Sequence, residues 1–139
     1  MKRTRIILML TIITFALTAC TGCEEQCDKN PTYRPEVGIG YVFRYDSTGC
    51  YPVAGARITV DNKYWTHGMY GADYSVGKEY FYTDADGRYQ VRYIEKKCIT
   101  FSDGRKEMVY CNEYDIYCNG IYIKTTGGRE NLDTIKLYE

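Results

Sequence analysis

The stretch Asp115–Lys124, DIYCNGIYIK, decides the fold class. Asn119-Gly120 supplies two adjacent residues that tolerate positive φ, which a two-residue β-hairpin turn requires. A turn there sets Cys118 opposite Ile121, Tyr117 opposite Tyr122, Ile116 opposite Ile123 and Asp115 opposite Lys124. One face then collects Ile116, Cys118, Ile121 and Ile123. The other carries a tyrosine pair beside an opposite-charge pair, and such cross-strand pairs contribute about 0.2–1 kcal/mol each. The faces sort with period two, as a half-buried hairpin demands.

Working outward, the same signals recur. Asp86-Gly87 predicts a hairpin with Tyr82 opposite Val91 and Tyr80 opposite Tyr93. Asp103-Gly104 predicts another, with Ile99 opposite Met108 and with Cys98 and Cys111 as diagonal neighbours on one face. In VGIGYVFRY, alternation places Val37, Ile39, Tyr41, Phe43 and Tyr45 on a common face. In GARITVD, Ala56, Ile58 and Val60 point inward while Arg57 and Thr59 point out. Residues 62–78, NKYWTHGMYGADYSVGK, lack clean alternation and read as a long loop. No long amphipathic helical pattern follows residue 20. The expectation is a single all-β domain over residues 36–139, an antiparallel immunoglobulin/transthyretin-like β-sandwich of about seven or eight strands.

Pro52-Val53-Ala54-Gly55-Ala56, followed by Thr83-Asp84-Ala85-Asp86-Gly87-Arg88-Tyr89, resembles the carboxypeptidase regulatory-like domain, a transthyretin-like β-sandwich. The resemblance spans roughly residues 36–95. It implies a fold more than a function, because such sandwiches serve as spacers, stabilising modules and binding platforms. One transthyretin-like branch hydrolyses 5-hydroxyisourate with several histidines and a characteristic C-terminal tetrapeptide. This chain has one histidine and ends KLYE, so that activity does not carry over.

The chain begins MKRTRIILMLTIITFALTAC. Lys2, Arg3 and Arg5 precede an apolar run of 14 residues, Ile6 to Ala19. A bilayer-spanning helix needs roughly 20 residues, whereas the core of a secretory signal is shorter. Leu17-Thr18-Ala19-Cys20 resembles the lipobox of bacterial lipoproteins, in which the signal is cut before a cysteine that receives diacylglycerol. The expectation is a signal peptide over 1–19, lipidation of Cys20 and a lipid-anchored tether over 20–35. Glu24 and Glu25 resemble the acidic surface-export signal of some Gram-negative lipoproteins. The expected location is the bacterial outer membrane, facing the periplasm or the cell exterior.

Removing the three basic residues of the signal leaves 15 basic against 18 acidic groups, a formal charge of −3, which disfavours nucleic acid as a partner. Of seven cysteines, six remain besides Cys20: Cys23, Cys27, Cys50, Cys98, Cys111 and Cys118. An even number in an oxidising compartment suggests disulfides. Cys98–Cys111 is the pair the hairpin register favours, and Cys23 with Cys27 suits a local bridge in the tether.

Catalytic, metal and cofactor patterns do not assemble. The DADG segment, Asp84–Gly87, reads as a capped turn rather than half a calcium loop. His67 has no nucleophile-elbow partner. The sequence therefore suggests a non-enzymatic protein, structural or binding, without cofactor. Beyond the lipid anchor, the expected partner is an envelope protein or a glycan. The candidate surface is Tyr64, Trp65, His67, Tyr70 and Tyr74 in the 62–78 segment. Such a loop either presents its aromatics to a ligand or folds over one sandwich end and buries them.

Overall fold

The computed structural model describes residues 27, 30–65, 71 and 73–139. Nine strands lie among them: β1 (Thr32–Asp46), β2 (Gly49–Pro52), β3 (Arg57–Trp65), β4 (Asp73–Tyr82), β5 (Arg88–Thr100), β6 (Lys106–Tyr110), β7 (Glu113–Cys118), β8 (Ile121–Thr126) and β9 (Ile135–Tyr138). They form two packed sheets, a β-sandwich. The first runs β2-β1-β5-β6, with β9 parallel to β1; the second runs β4-β3-β7-β8.

The 119–120 hairpin forms as its sequence dictates. Asn119 and Gly120 have φ of 48° and 85°, and Cys118 pairs with Ile121 and Tyr117 with Tyr122. A bulge then shifts the register, so Ile116 faces Lys124 and Asp115 faces Thr125. The shift lets the Thr125 hydroxyl donate to Asp115 at 2.5 Å and sends Lys124 to Asp133 at 2.6 Å. Ile116 and Cys118 are buried as expected, but Ile121, at the projecting tip, is exposed.

The inward face of β1 is the opposite of the expected one. Gly38, Gly40 and Val42 point into the core, while Val37, Ile39, Phe43 and Tyr45 are half-buried and Tyr41 is exposed. The glycines have a steric reason. A Cβ on Gly40 would lie 2.5 Å from Cζ of Tyr89, and one on Gly38 would lie 2.8 Å from a Val91 methyl and also meet the Tyr93 hydroxyl. The volume missing from β1 is filled by tyrosines of β5. In β3, Ala56, Ile58 and Val60 point inward as expected. Thr59 points out but is also buried, because β3 is central and Tyr80 and Tyr117 flank it.

The Asp86-Gly87 turn exists, but it does not close a hairpin. The Gly87 N–H donates to Asp84 O at 3.0 Å, and the Asp84 carboxylate accepts from the N–H groups of Asp86 and Arg88. Beyond it β4 pairs with β3 and β5 pairs with β1, so the turn carries the chain from one sheet to the other. The expected Tyr82–Val91 and Tyr80–Tyr93 pairs are absent for that reason. The buried Thr83 hydroxyl secures the corner, donating to Val53 O at 2.5 Å and accepting from Ala56 N at 2.8 Å.

The 103–104 hairpin is displaced by one residue. Phe101 N–H donates to Arg105 O and Gly104 N–H to Phe101 O, a loop of three residues with Gly104 at positive φ. Cys98 consequently faces Met108, and Cys111 falls on the opposite alternation, alongside the buried Val109. A one-residue slip exchanges the faces of a strand. The Cys98–Cys111 bridge is thereby overturned: Cys98 is bonded to Cys27. The local Cys23–Cys27 bridge falls with it. Cys111 and Cys118 are buried free thiols and Cys50 is an exposed one. Cys20 and Cys23 lie outside the described residues.

β1 starts at Thr32, inside the stretch read as tether, and register shifts around Pro35 interrupt its pairing with β5. Proline lacks the ladder donor, so a bulge accommodates it. The core between the sheets is rich in tyrosine. Tyr93 and Tyr114 lie 4.7 Å apart by ring centroid, and their hydroxyls donate to Arg129 O and Ile94 O. Burial pushes the Tyr93 phenol up to about 12. Asn62, fully buried, links the sheets: its amide donates to Gly77 O on β4 and its carbonyl accepts from Ile94 N on β5, both at 3.0 Å.

Candidate functional site

The segment read as a 62–78 loop is mostly strand. β3 continues to Trp65 and β4 begins at Asp73, with Tyr64 opposite Tyr74 and Trp65 opposite Asp73. Alternation is hidden by a bulge between Asn62 and Lys63 and by the polar Asn62 on the buried face. Tyr64, Trp65 and Tyr74 therefore sit at the end of a two-stranded projection. His67 and Tyr70 lie outside the described residues.

Tyr64 and Tyr74 stack with centroids 5.4 Å apart and planes 24° from parallel. They form one wall of a cleft of about 720 Å³ at this end of the sandwich. The facing wall comes from the β5–β6 hairpin: Lys97, Cys98, Ile99, Phe101, Arg105 and Glu107. The Arg105 guanidinium lies 4.6 Å from the centre of the Phe101 ring, a cation–π contact. Lys97 Nζ donates to Val76 O at 3.2 Å, which holds the ammonium at the cleft edge. The Tyr64 phenol is raised above its ordinary pKa by desolvation, then by Tyr74 and the Glu107 carboxylate. The cleft thus offers flat apolar rings with two cations and one anion at their margins. Neither of the two sequence alternatives holds completely: Tyr64 is half-buried, while Trp65 and Tyr74 are 46% and 50% exposed.

Sequence reasoning missed the facing wall. Its signal was an aromatic at the base of the Asp103-Gly104 turn with cations on both sides. The Tyr117–Tyr122 pair forms as expected, but it belongs to a larger aromatic surface on the outer face of β4-β3-β7-β8 that sequence reasoning missed. There Tyr80, Thr59, Tyr117 and Tyr122 form one cross-strand row. At about 4.8 Å between strands the row spans roughly 14 Å. Tyr80, Tyr82 and Tyr122 are exposed, Arg57 lies over Tyr80, and Lys78 lies over Tyr117. On the same face Asp115 is bound by Lys63 and Thr125, and Asp61 by Ser75, so both buried carboxylates have partners.

Among the described residues, no group of three His, Cys, Asp or Glu could hold a metal ion, and no helix is long and apolar enough to cross a membrane. No protein-family model matches the chain, and no curated protein matches it. Among solved structures, the chain is similar to a 9R-lipoxygenase from Cyanothece, with 15% identity, a TM-score of 0.34 and coverage of 84% of this chain and 19% of that one. It is also similar to a Pseudomonas aeruginosa protein described as a "putative carbohydrate binding protein", with 10% identity, a TM-score of 0.34 and coverage of 82% and 92%. The chain spans about a fifth of the lipoxygenase's length.

Proposed function

We propose that the protein is a non-enzymatic envelope lipoprotein, anchored at the bacterial outer membrane through Cys20, whose sandwich binds a ligand in the end cleft. The carboxypeptidase regulatory-like resemblance at 52–56 and 83–89 fits a carrier of binding surfaces rather than a catalyst. The observation that carries the reading is the cleft itself: stacked Tyr64 and Tyr74 across from Arg105-capped Phe101. Concave apolar sites with a few convergent polar groups are where ligands concentrate.

The test is a binding screen of the intact protein against envelope glycans, lipids and proteins, repeated with Tyr74→Ala/Phe101→Ala. Binding should be lost while the variant still unfolds in a single cooperative urea transition, because Tyr74 is half exposed and neither ring belongs to the buried core. A double variant that keeps every interaction of the parent removes the cleft from consideration.

A second reading, a glycan- or protein-binding adhesion module, is favoured by the exposed tyrosine row of the other sheet. Rings in a flat row can stack on sugar faces or fill a partner's pockets. Tyr80→Ala/Tyr122→Ala would then abolish binding that the cleft variant retains.

A further inference from the structure

The disulfide determines where the chain leaves the sandwich. Cys27 is bonded to Cys98, and Cys98 forms part of the cleft wall. Seven residues of chain separate Cys20 from Cys27. Fully extended, they span at most about 25 Å. An acylated Cys20 therefore holds the cleft end within about 25 Å of the lipid headgroups. Cys50 lies opposite Tyr45, near the other end of β1, whereas Lys96, two residues from Cys98, lies opposite Thr32. Along a strand at about 3.3 Å per residue, that puts Cys50 at the far end of β1 from the disulfide, at most about 45 Å away.

The tethered end also has the chemistry of an interfacial surface. Tyr74 is half exposed, Phe101 is half-buried, and Lys97 and Arg105 line the cleft with them; Trp65, also about half exposed, lies one residue beyond Tyr64 at the tip of the same projection, on its other face. Amphipathic aromatics sit at headgroup level, and long cations reach from apolar contact to phosphate. A short tether raises the effective concentration of the surface to the millimolar range, so contacts too weak to hold a free domain suffice for an anchored one.

We propose that the cleft end docks on the bilayer, with Trp65, Tyr74 and Phe101 at headgroup level, and that the partner of the cleft is the phospholipid surface itself. This rests on the lipid-anchored, cleft-binding reading above. Lys97 and Arg105 meet the lipid phosphates. The exposed tyrosine row of the second sheet stays clear of the bilayer.

The experiment uses the processed lipoprotein in phosphatidylethanolamine/phosphatidylglycerol vesicles containing brominated lipids. Trp65 is the single tryptophan, so its emission reports this end alone. A dye on Cys50, in a Cys23→Ser background, reports the far end. The expected result is blue-shifted Trp65 emission, loss of that emission on bromolipid addition, and an unchanged dye signal. Phe101→Ser, and separately Cys27→Ser/Cys98→Ser, should restore Trp65 emission. Equal quenching at both ends, or none at Trp65, overturns docking. Mass spectrometry of Cys20 and titration with soluble glycerophosphate and oligosaccharides run in parallel. Absent acylation overturns the proposal through its anchor. Unquenched Trp65 with saturable binding of a soluble oligosaccharide overturns docking and leaves the cleft reading standing.

Discussion

Replacing Asn62 by Ala is the most informative stability test of the sandwich. The side chain is fully buried and satisfies two main-chain groups on different strands, Ile94 N–H and Gly77 C=O. Ile94 is buried, so its N–H gains no water when the Asn62 carbonyl is removed. An unsatisfied buried donor costs about 1–3 kcal/mol. Gly77 is half-buried and can recruit solvent, so its carbonyl adds less. With the small cavity included, the expected loss is about 3 kcal/mol. For a domain of this size, a urea m-value between about 1 and 3 kcal/mol/M converts that to a midpoint drop of ~2 M with unchanged slope. Asn62→Leu keeps the branched four-heavy-atom side chain but not the hydrogen bonds, so it should lose nearly as much. If the leucine variant melts within about 0.5 kcal/mol of the parent, packing rather than hydrogen bonding holds the sheets at this point and the reasoning is wrong.

Gly40→Ala should cost about 1–3 kcal/mol, because the new methyl overlaps the buried Tyr89 ring; a neutral melt would mean that ring moves freely. Cys27→Ser/Cys98→Ser removes a bridge between residues 71 positions apart, so the chain-entropy model gives a loss of about 4 kcal/mol, read as a lowered Tm that reductant reproduces in the parent. Stability should also fall at alkaline pH. Burial pushes Cys111 up to about 11 and Tyr93 up to about 12, against roughly 8.5 and 10 for the unfolded side chains. The unfolded chain therefore loses these protons first, and stability present in full near pH 8 should decline as pH rises through the 9–12 window. Identical urea midpoints at pH 8 and 10.5 would show that neither group is protected.

What the sequence revealed was local. Asn119-Gly120 specifies a turn through the backbone angles of two residues, and the hairpin forms accordingly. Asp86-Gly87 specifies a turn equally well, yet no local signal says whether the flanking strands pair with each other or part to opposite sheets. That choice depends on where β1 and β3 lie. The inward face of β1 is hidden in the sequence because glycine at 38 and 40 looks like the outward alternation, while its partners Tyr89 and Tyr93 are some fifty residues away. The cleft was half legible. Tyr64, Trp65 and Tyr74 stand out in the sequence as an aromatic group, but the bulge at Asn62 disguises their strands, and Phe101 and Arg105 meet Tyr64 and Tyr74 across the cleft only through the pairing of a different hairpin. Cys27 reads as tether for its polar neighbours, and its partner Cys98 lies 71 residues away on β5, beyond the reach of any local signal.

The parallel contact of β9 with β1 has a kinetic consequence. β1, near the start of the described chain, pairs with β2 and β5 and, through Val42–Tyr45, with the last strand, Ile135–Tyr138. Its ladder cannot be completed until nearly all the chain is present. Topologies closed by distant partners fold in milliseconds to seconds rather than microseconds. A chain emerging from its N-terminus therefore passes through a period in which the longest strand keeps an open edge. The four-residue β9 acts as the final closure, and loss of the C-terminal strand would leave that edge exposed to the corresponding edge of another copy.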